Sequence, residues 1–169
     1  MKTSARILAS IGTGIACTAL VACGGSEDGG GGGGSGADAA AQQAFEERDA
    51  YMHELGDALL VLNEMATEER PADDAAFLAA AQTIARRAPD MLGMFENQTI
   101  VAESRTKPEV FANWDDFTTK HGALVTAANA LAEAASTGGF AGGRNLVAPL
   151  RDTCGGCHRP YRGPDPDAQ

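Results

Sequence analysis

Apolar residues recur along most of this chain at alternating steps of three and four, and that spacing limits its fold more than any other feature. From about Ala39 to Ala66 the stripe Phe45, Arg48, Met52, Leu55, Leu59, Leu62, Ala66 keeps the alternation throughout, with a charged residue as its second member. It stops at Glu68-Glu69-Arg70-Pro71, where proline cannot continue a helix. A shorter stripe, Phe77, Ala81, Ile84, Ala88, follows Asp73 or Asp74 as a candidate N-cap and is bounded by Pro89. Asp90 to Lys107 has no period and reads as an irregular connection. Pro108 and Glu109 then read as the first turn of a third helix with Thr106 as N-cap. Its stripe is Val110, Trp114, Phe117, His121, Leu124, Ala128, Leu131, Ala135, and Gly138-Gly139 ends it. A fourth segment, Phe140 to about Arg162, lines up Val147, Leu150, Cys154, His158 and Tyr161, although Gly142, Gly143, Pro149 and Pro160 weaken it. Alanine is abundant and β-branched residues are scattered, so strand signal is almost absent. Four amphipathic segments with mainly short connections predict an all-α, antiparallel four-helix bundle over residues 37–169.

The residues ahead of that domain read as export and anchoring signals. Lys2 and Arg6 precede a small apolar run, Ile7 to Val21, too short for a membrane span, so residues 1–22 are expected to be a lipoprotein signal peptide. Leu20-Val21-Ala22-Cys23 resembles a lipobox, whose cysteine takes lipid after cleavage. The competing reading, cleavage at an ordinary A-x-A-like site, would leave Cys23 as a lone thiol in an oxidising compartment. Residues 23–36 form a glycine-rich tether with nothing apolar to bury and a reach of about 20 Å. The expected location is the periplasmic side of a bacterial membrane, lipid-anchored, with Gly24 after the cysteine favouring the outer membrane. The net charge of −10 becomes more negative when the signal leaves, which argues against nucleic acid and suits a basic partner.

Cys154-Gly155-Gly156-Cys157-His158 carries the chemistry. CxxCH is the pattern by which a chain attaches a c-type haem: two thiols add across the porphyrin vinyl groups, and the histidine supplies an imidazole to iron. A thioredoxin-like redox pair would sit in a βαβ pattern, and zinc would need a second pair of ligands; neither context is present. With Cys17 lost in the signal, Cys23 lipidated, and Cys154 and Cys157 on haem, no disulfide is expected. Arg48 on a core stripe needs an anion, and a haem propionate matches its planar fork; the competing reading is an arginine snorkelling to solvent. Met52 is either core filler or an axial ligand, and His121 either a hydrogen-bonded core residue or, less commonly, a ligand. His53 is about 100° round the helix from Met52 and should face outward.

Three blocks of the chain resemble the class II cytochromes c, the cytochrome c prime family. Cys154 to Arg162, CGGCHRPYR, resembles the family's CxxCHxxYR ending. Arg48 to Gly56 resembles the R-x-x-x-M-x-x-x-G signature of its low-spin branch, and Thr106 to Phe117 the opening of its third helix, TKPE followed by W-x-x-F. The resemblance implies a four-helix bundle with one covalent haem, His158 as proximal ligand and Met52 as the sixth. It implies an electron carrier rather than an enzyme, working with redox protein partners and capable of forming a homodimer. The alternative is a five-coordinate binder of nitric oxide or carbon monoxide, as in the high-spin branch, where an apolar residue replaces the methionine.

Overall fold

The computed structural model of the protein describes residues 34–164. The expected signal peptide, the lipidation site Cys23 and all but the last residues of the tether lie outside the described residues. Five α-helices follow in order: α1 Gly34–Ala66, α2 Asp74–Arg87, α3 Glu109–Ala112, α4 Trp114–Gly143 and α5 Val147–Tyr161. α3 is a single turn, and the other four form the expected antiparallel bundle. Their directions follow from who meets whom. Tyr51, halfway along α1, donates to the carbonyl of Arg87 at the end of α2 at 2.8 Å. Asp74 at the start of α2 accepts from the amide of Phe140 late in α4 at 2.7 Å. Phe117 early in α4 meets the ring of Tyr161 at the end of α5, centroids 5.4 Å apart, and Arg151 early in α5 reaches Asn63 late in α1.

The expected stripes of α2 and α4 face inward, as do Val147, Leu150 and Tyr161 of α5; in α1 the buried row is Arg48, Tyr51, Ala58, Leu62 and Met65, turned from the expected stripe, whose Met52, Leu59 and Ala66 are half-buried. Leu62, Met65, Phe77, Leu131, Val147 and Leu150 are fully buried at the end where α1 turns into α2, each contributing about 2 kcal/mol of hydrophobic stabilisation. Asp73 caps α2 by accepting from the Ala76 amide at 3.0 Å. α1, however, begins at Gly34, inside the expected tether, and its residues from Gly36 to Ala40 are exposed.

Thr106 does not cap the third helix. Pro108 holds the N-cap position with no side-chain bond, and because proline disfavours helical backbone before it, residues 106–107 stay extended. Thr106 instead pairs with Arg162 in an isolated bridge, with the Lys107 amide donating to the Tyr161 carbonyl at 2.9 Å. Asn113 (φ −124°, ψ 47°) then separates α3 from α4 without disturbing the stripe.

The glycines and prolines expected to weaken the last segment have structural work instead. Pro149 stands in the first turn of α5, where a backbone N–H has no helical acceptor, and Pro160 stands in the last turn. A Cβ on Gly143 would come within 2.6 Å of the Phe77 ring, so this glycine lets α4 close on α2. Gly139 interrupts α4 with φ +58°, and a Cβ there would lie 2.5 Å from the Asp74 carboxylate. Gly139→Ala should therefore lower unfolding stability by about 2 kcal/mol in urea titrations. Wild-type stability in that variant would show that the junction tolerates a side chain.

Candidate haem site

At the end of the bundle opposite the packed core, a cavity of about 410 Å³ is walled by α1, α4, α5 and the connection from α2. α5 contributes Cys154, Cys157 and His158; α1 faces them with Arg48, Met52 and Leu55; α4 adds Phe117, His121 and Leu124. The connection expected to be irregular is only partly so. It winds into 3-10 turns at Ala88–Met91 and Gly93–Phe95, and these bury Met91 and Phe95 on the cavity wall. Their four-residue spacing was the signal available in the sequence. Phe95, Trp114 and Tyr161 all pack on Phe117, with centroids 5.1 to 5.5 Å away.

The turn carrying the thiols is half-buried. Burial raises the pKa of Cys154, and lifts that of Cys157 to about 11. Both sulfurs are therefore neutral thiols, the opposite of the thiolate a dithiol oxidoreductase needs. Among the described residues no group of three His, Cys, Asp or Glu could hold a metal by itself, so a zinc site lacks its ligands. His158 is exposed as a residue at the cavity edge, yet desolvation, Arg162 and Arg105 lower its pKa, favouring a neutral imidazole with a free lone pair.

Arg48 does not snorkel. It is 4% exposed and donates to the carbonyl of Met94 at 3.1 Å, to Asn97 Oδ1 at 3.2 Å and to the carbonyl of Thr99 at 2.9 Å. Its guanidinium thereby pins the connection to α1, and its buried Nε is left without an acceptor in the chain. His121 is a hydrogen-bonded core residue: Nε2 lies 2.9 Å from the Ala88 carbonyl, which accepts from it. His53 faces outward, with Nδ1 2.9 Å from the Asp49 carbonyl. Tyr51, off the expected stripe, is buried at 2% exposure on the same face of α1 as Ala58, Leu62 and Met65, with its hydroxyl bonded to Arg87.

The last turn of α5 is strapped to the connection. Gly163 donates to the Arg105 carbonyl at 2.6 Å, Arg105 Nε donates back to the Gly163 carbonyl at 3.2 Å, and Lys107 reaches the carbonyl of Pro160 at 3.2 Å. Tyr161 donates its hydroxyl to Asp116 Oδ2 at 2.5 Å while Lys120 bonds the other oxygen at 2.8 Å. A c-type haem fits this donor set: paired neutral thiols, an imidazole beside them, a largely hydrocarbon wall, and a buried arginine nitrogen with a donor to spare.

The sequence profile described as Cytochrome C' matches residues 43–162. This chain belongs to the cytochrome c′ family. Its members carry a covalently attached c-type haem, and the single CxxCH at residues 154–158 makes this chain a monohaem protein of that family. A relative named cytochrome c-556, from Agrobacterium tumefaciens (strain apple 185), is 33% identical over 118 residues, covering 69% of this chain and 92% of the relative. The structure of cytochrome c prime from Shewanella frigidimarina superposes with a TM-score of 0.69 at 22% identity, covering 73% of this chain and 97% of the other. That of a ferrous variant of cytochrome c prime from Alcaligenes xylosoxidans, with bound NO, gives 0.67 at 18% identity over 74% and 97%. At those identities the two structures speak for the fold.

Two tyrosines near the site should set the alkaline limit of stability. Burial pushes Tyr51 up to about 12, and the hydrogen bond to Asp116 pushes Tyr161 up to about 12. Between pH 10 and 12 the folded chain keeps protons that the unfolded chain releases, so stability is full below about pH 10 and falls as pH rises toward 12. Urea unfolding at stepped pH should show that decline, flattened in the double variant Tyr51→Phe, Tyr161→Phe. An equally steep decline in the double variant would assign it to other groups.

Proposed function

We propose that this protein is an electron carrier, lipid-anchored and facing the periplasm, with its iron held between His158 and Met52. The observation carrying this reading is that Met52, on α1, lines the same cavity as the CxxCH residues on α5. When bound, the haem supplies a one-electron couple whose potential depends on its axial ligands and surroundings. The chain supplies the rest. His158 offers a neutral imidazole from α5, and Met52 a soft thioether from α1. Arg48 offers its spare Nε to a propionate while its other nitrogens hold residues 94–99 against α1. Phe95, Phe117 and Tyr161 exclude water from one wall. Ligands fixed on two packed helices keep reorganisation small when the charge changes.

The second reading, a nitric oxide or carbon monoxide binder, draws on the Alcaligenes xylosoxidans relative with bound NO and on Met52 itself, which is unbranched and only half-buried. The visible spectrum of the ferrous protein separates the two. Electron carriage predicts a low-spin spectrum indifferent to carbon monoxide, and Met52→Ala should convert it to a high-spin, gas-responsive one. A native protein that already responds to gas, or a spectrum unaltered by Met52→Ala, overturns the methionine ligation.

Anchoring rests on Leu20 to Cys23, and among the described residues no helix is long and apolar enough to cross a membrane. Cys23→Ser should move the protein from the membrane to the soluble periplasmic fraction, whereas unchanged fractionation would remove the lipid from this account. Redox protein partners and a homodimer belong to the same proposal.

A further inference from the structure

Charge is distributed unevenly round the site of a chain whose net charge is −10. Four of its cations sit in ion pairs: Arg70 with Glu64, Arg87 with Glu54 and Asp90, Arg144 with Glu68, and Lys120 with Asp116, the last of which meets α5 through Tyr161. On α5 itself Arg151, Gly155 and Arg159 follow at four-residue steps and so share a face, with Arg162 at the C-cap. All three arginines are exposed, and among the described residues none has a carboxylate within ion-pair distance, Arg151 bonding only the neutral amide of Asn63 on α1. Asp152 is the single carboxylate on α5; Asp165 and Asp167, which follow in sequence, lie outside the described residues. The guanidinium of Arg159 folds back over the attachment turn, its two terminal nitrogens 3.1 Å and 3.9 Å from where side chains on Gly155 and Gly156 would begin. Residues 153–157 are only half-buried, so this turn, joined to the haem by two thioether bonds, is a short path from solvent to the redox centre.

We propose that electrons enter and leave through the surface over Gly155 and Gly156, and that the partner docking there presents acidic side chains to Arg151, Arg159 and Arg162. This rests on the electron-carrier reading, and it reverses the basic partner that net charge alone suggested. Over distances of about 10 Å at moderate salt, the charges beside the docking point outweigh those on the far side of the molecule.

Small oxidants of opposite charge test this on the intact haem protein. In stopped flow, oxidation of the ferrous protein by ferricyanide should slow by roughly fivefold as salt is raised from low ionic strength to about 0.2 M, and oxidation by tris(phenanthroline)cobalt(III) should quicken. The double variant Arg151→Glu, Arg159→Glu should invert both slopes while its visible spectrum stays that of the wild type. A ferricyanide rate that rises with salt in the wild type, or slopes unmoved in the double variant, overturns the proposal. Met52→Ala and gas titration report on ligation separately, so failure of the docking surface is distinguishable from failure of the carrier reading.

Discussion

One bundle of four helices has to be packed by its own side chains at one end and to leave room for a haem at the other, and every helix that bounds the haem site also runs through the packed end. The fully buried residues Leu62, Phe77, Leu131 and Leu150 hold the four helices together near the α1–α2 turn. Toward the other end the same stripes continue as Met52, Leu124 and Cys154, lining a cavity instead of meeting one another. The helices are fixed to one another elsewhere, and the wall between α1 and α4 is reinforced by the 3-10 turns that carry Met91 and Phe95.

Polar groups do the holding where apolar contacts are given up. Arg48 reaches three acceptors on residues 94–99, His121 grips Ala88, and Tyr51 grips Arg87, so each of the two long helices flanking the cavity is bonded to the connection after α2. These bonds are buried or partly buried, where each is stronger than in water and costly to leave unmade. A cavity wall assembled from short turns thereby keeps a defined shape. The strap from Arg105 and Lys107 to the end of α5 does the same for the helix that bears the thiols.

Much of this was legible in the residues because the steps of three and four reflect helix geometry directly. The faces of α2 and α4 follow from them, whereas the pairing of Met52 with the CxxCH turn came from the resemblance of Arg48 to Gly56 to the low-spin signature and not from the steps. What escaped was governed by contacts distant in sequence. Tyr51 stands off the expected stripe but on the buried row with Ala58, Leu62 and Met65, where its polar hydroxyl is satisfied by the Arg87 carbonyl from another helix. Thr106 has the composition of a cap, but Pro108 keeps the preceding residues extended, and extended backbone found a partner at Arg162. Gly142 and Gly143 looked like helix breakers because their neighbours, Ala134 and Phe77, are invisible from the local sequence. Arg48 was assigned to an anion, and its bonds to carbonyls could not be read from a connection without periodicity.

The direction of α1 carries a last consequence. The helix starts at Gly34, on the side of the molecule where Phe45, Arg48 and Met52 meet the cavity, so the chain enters the bundle at the haem-site end rather than the packed one. The stretch from Gly34 to Phe45 rises about 16 Å as helix. That length is a rigid spacer. Anything fastened at Gly34 would stand off from the haem site by the length of a helical rod rather than of a coil.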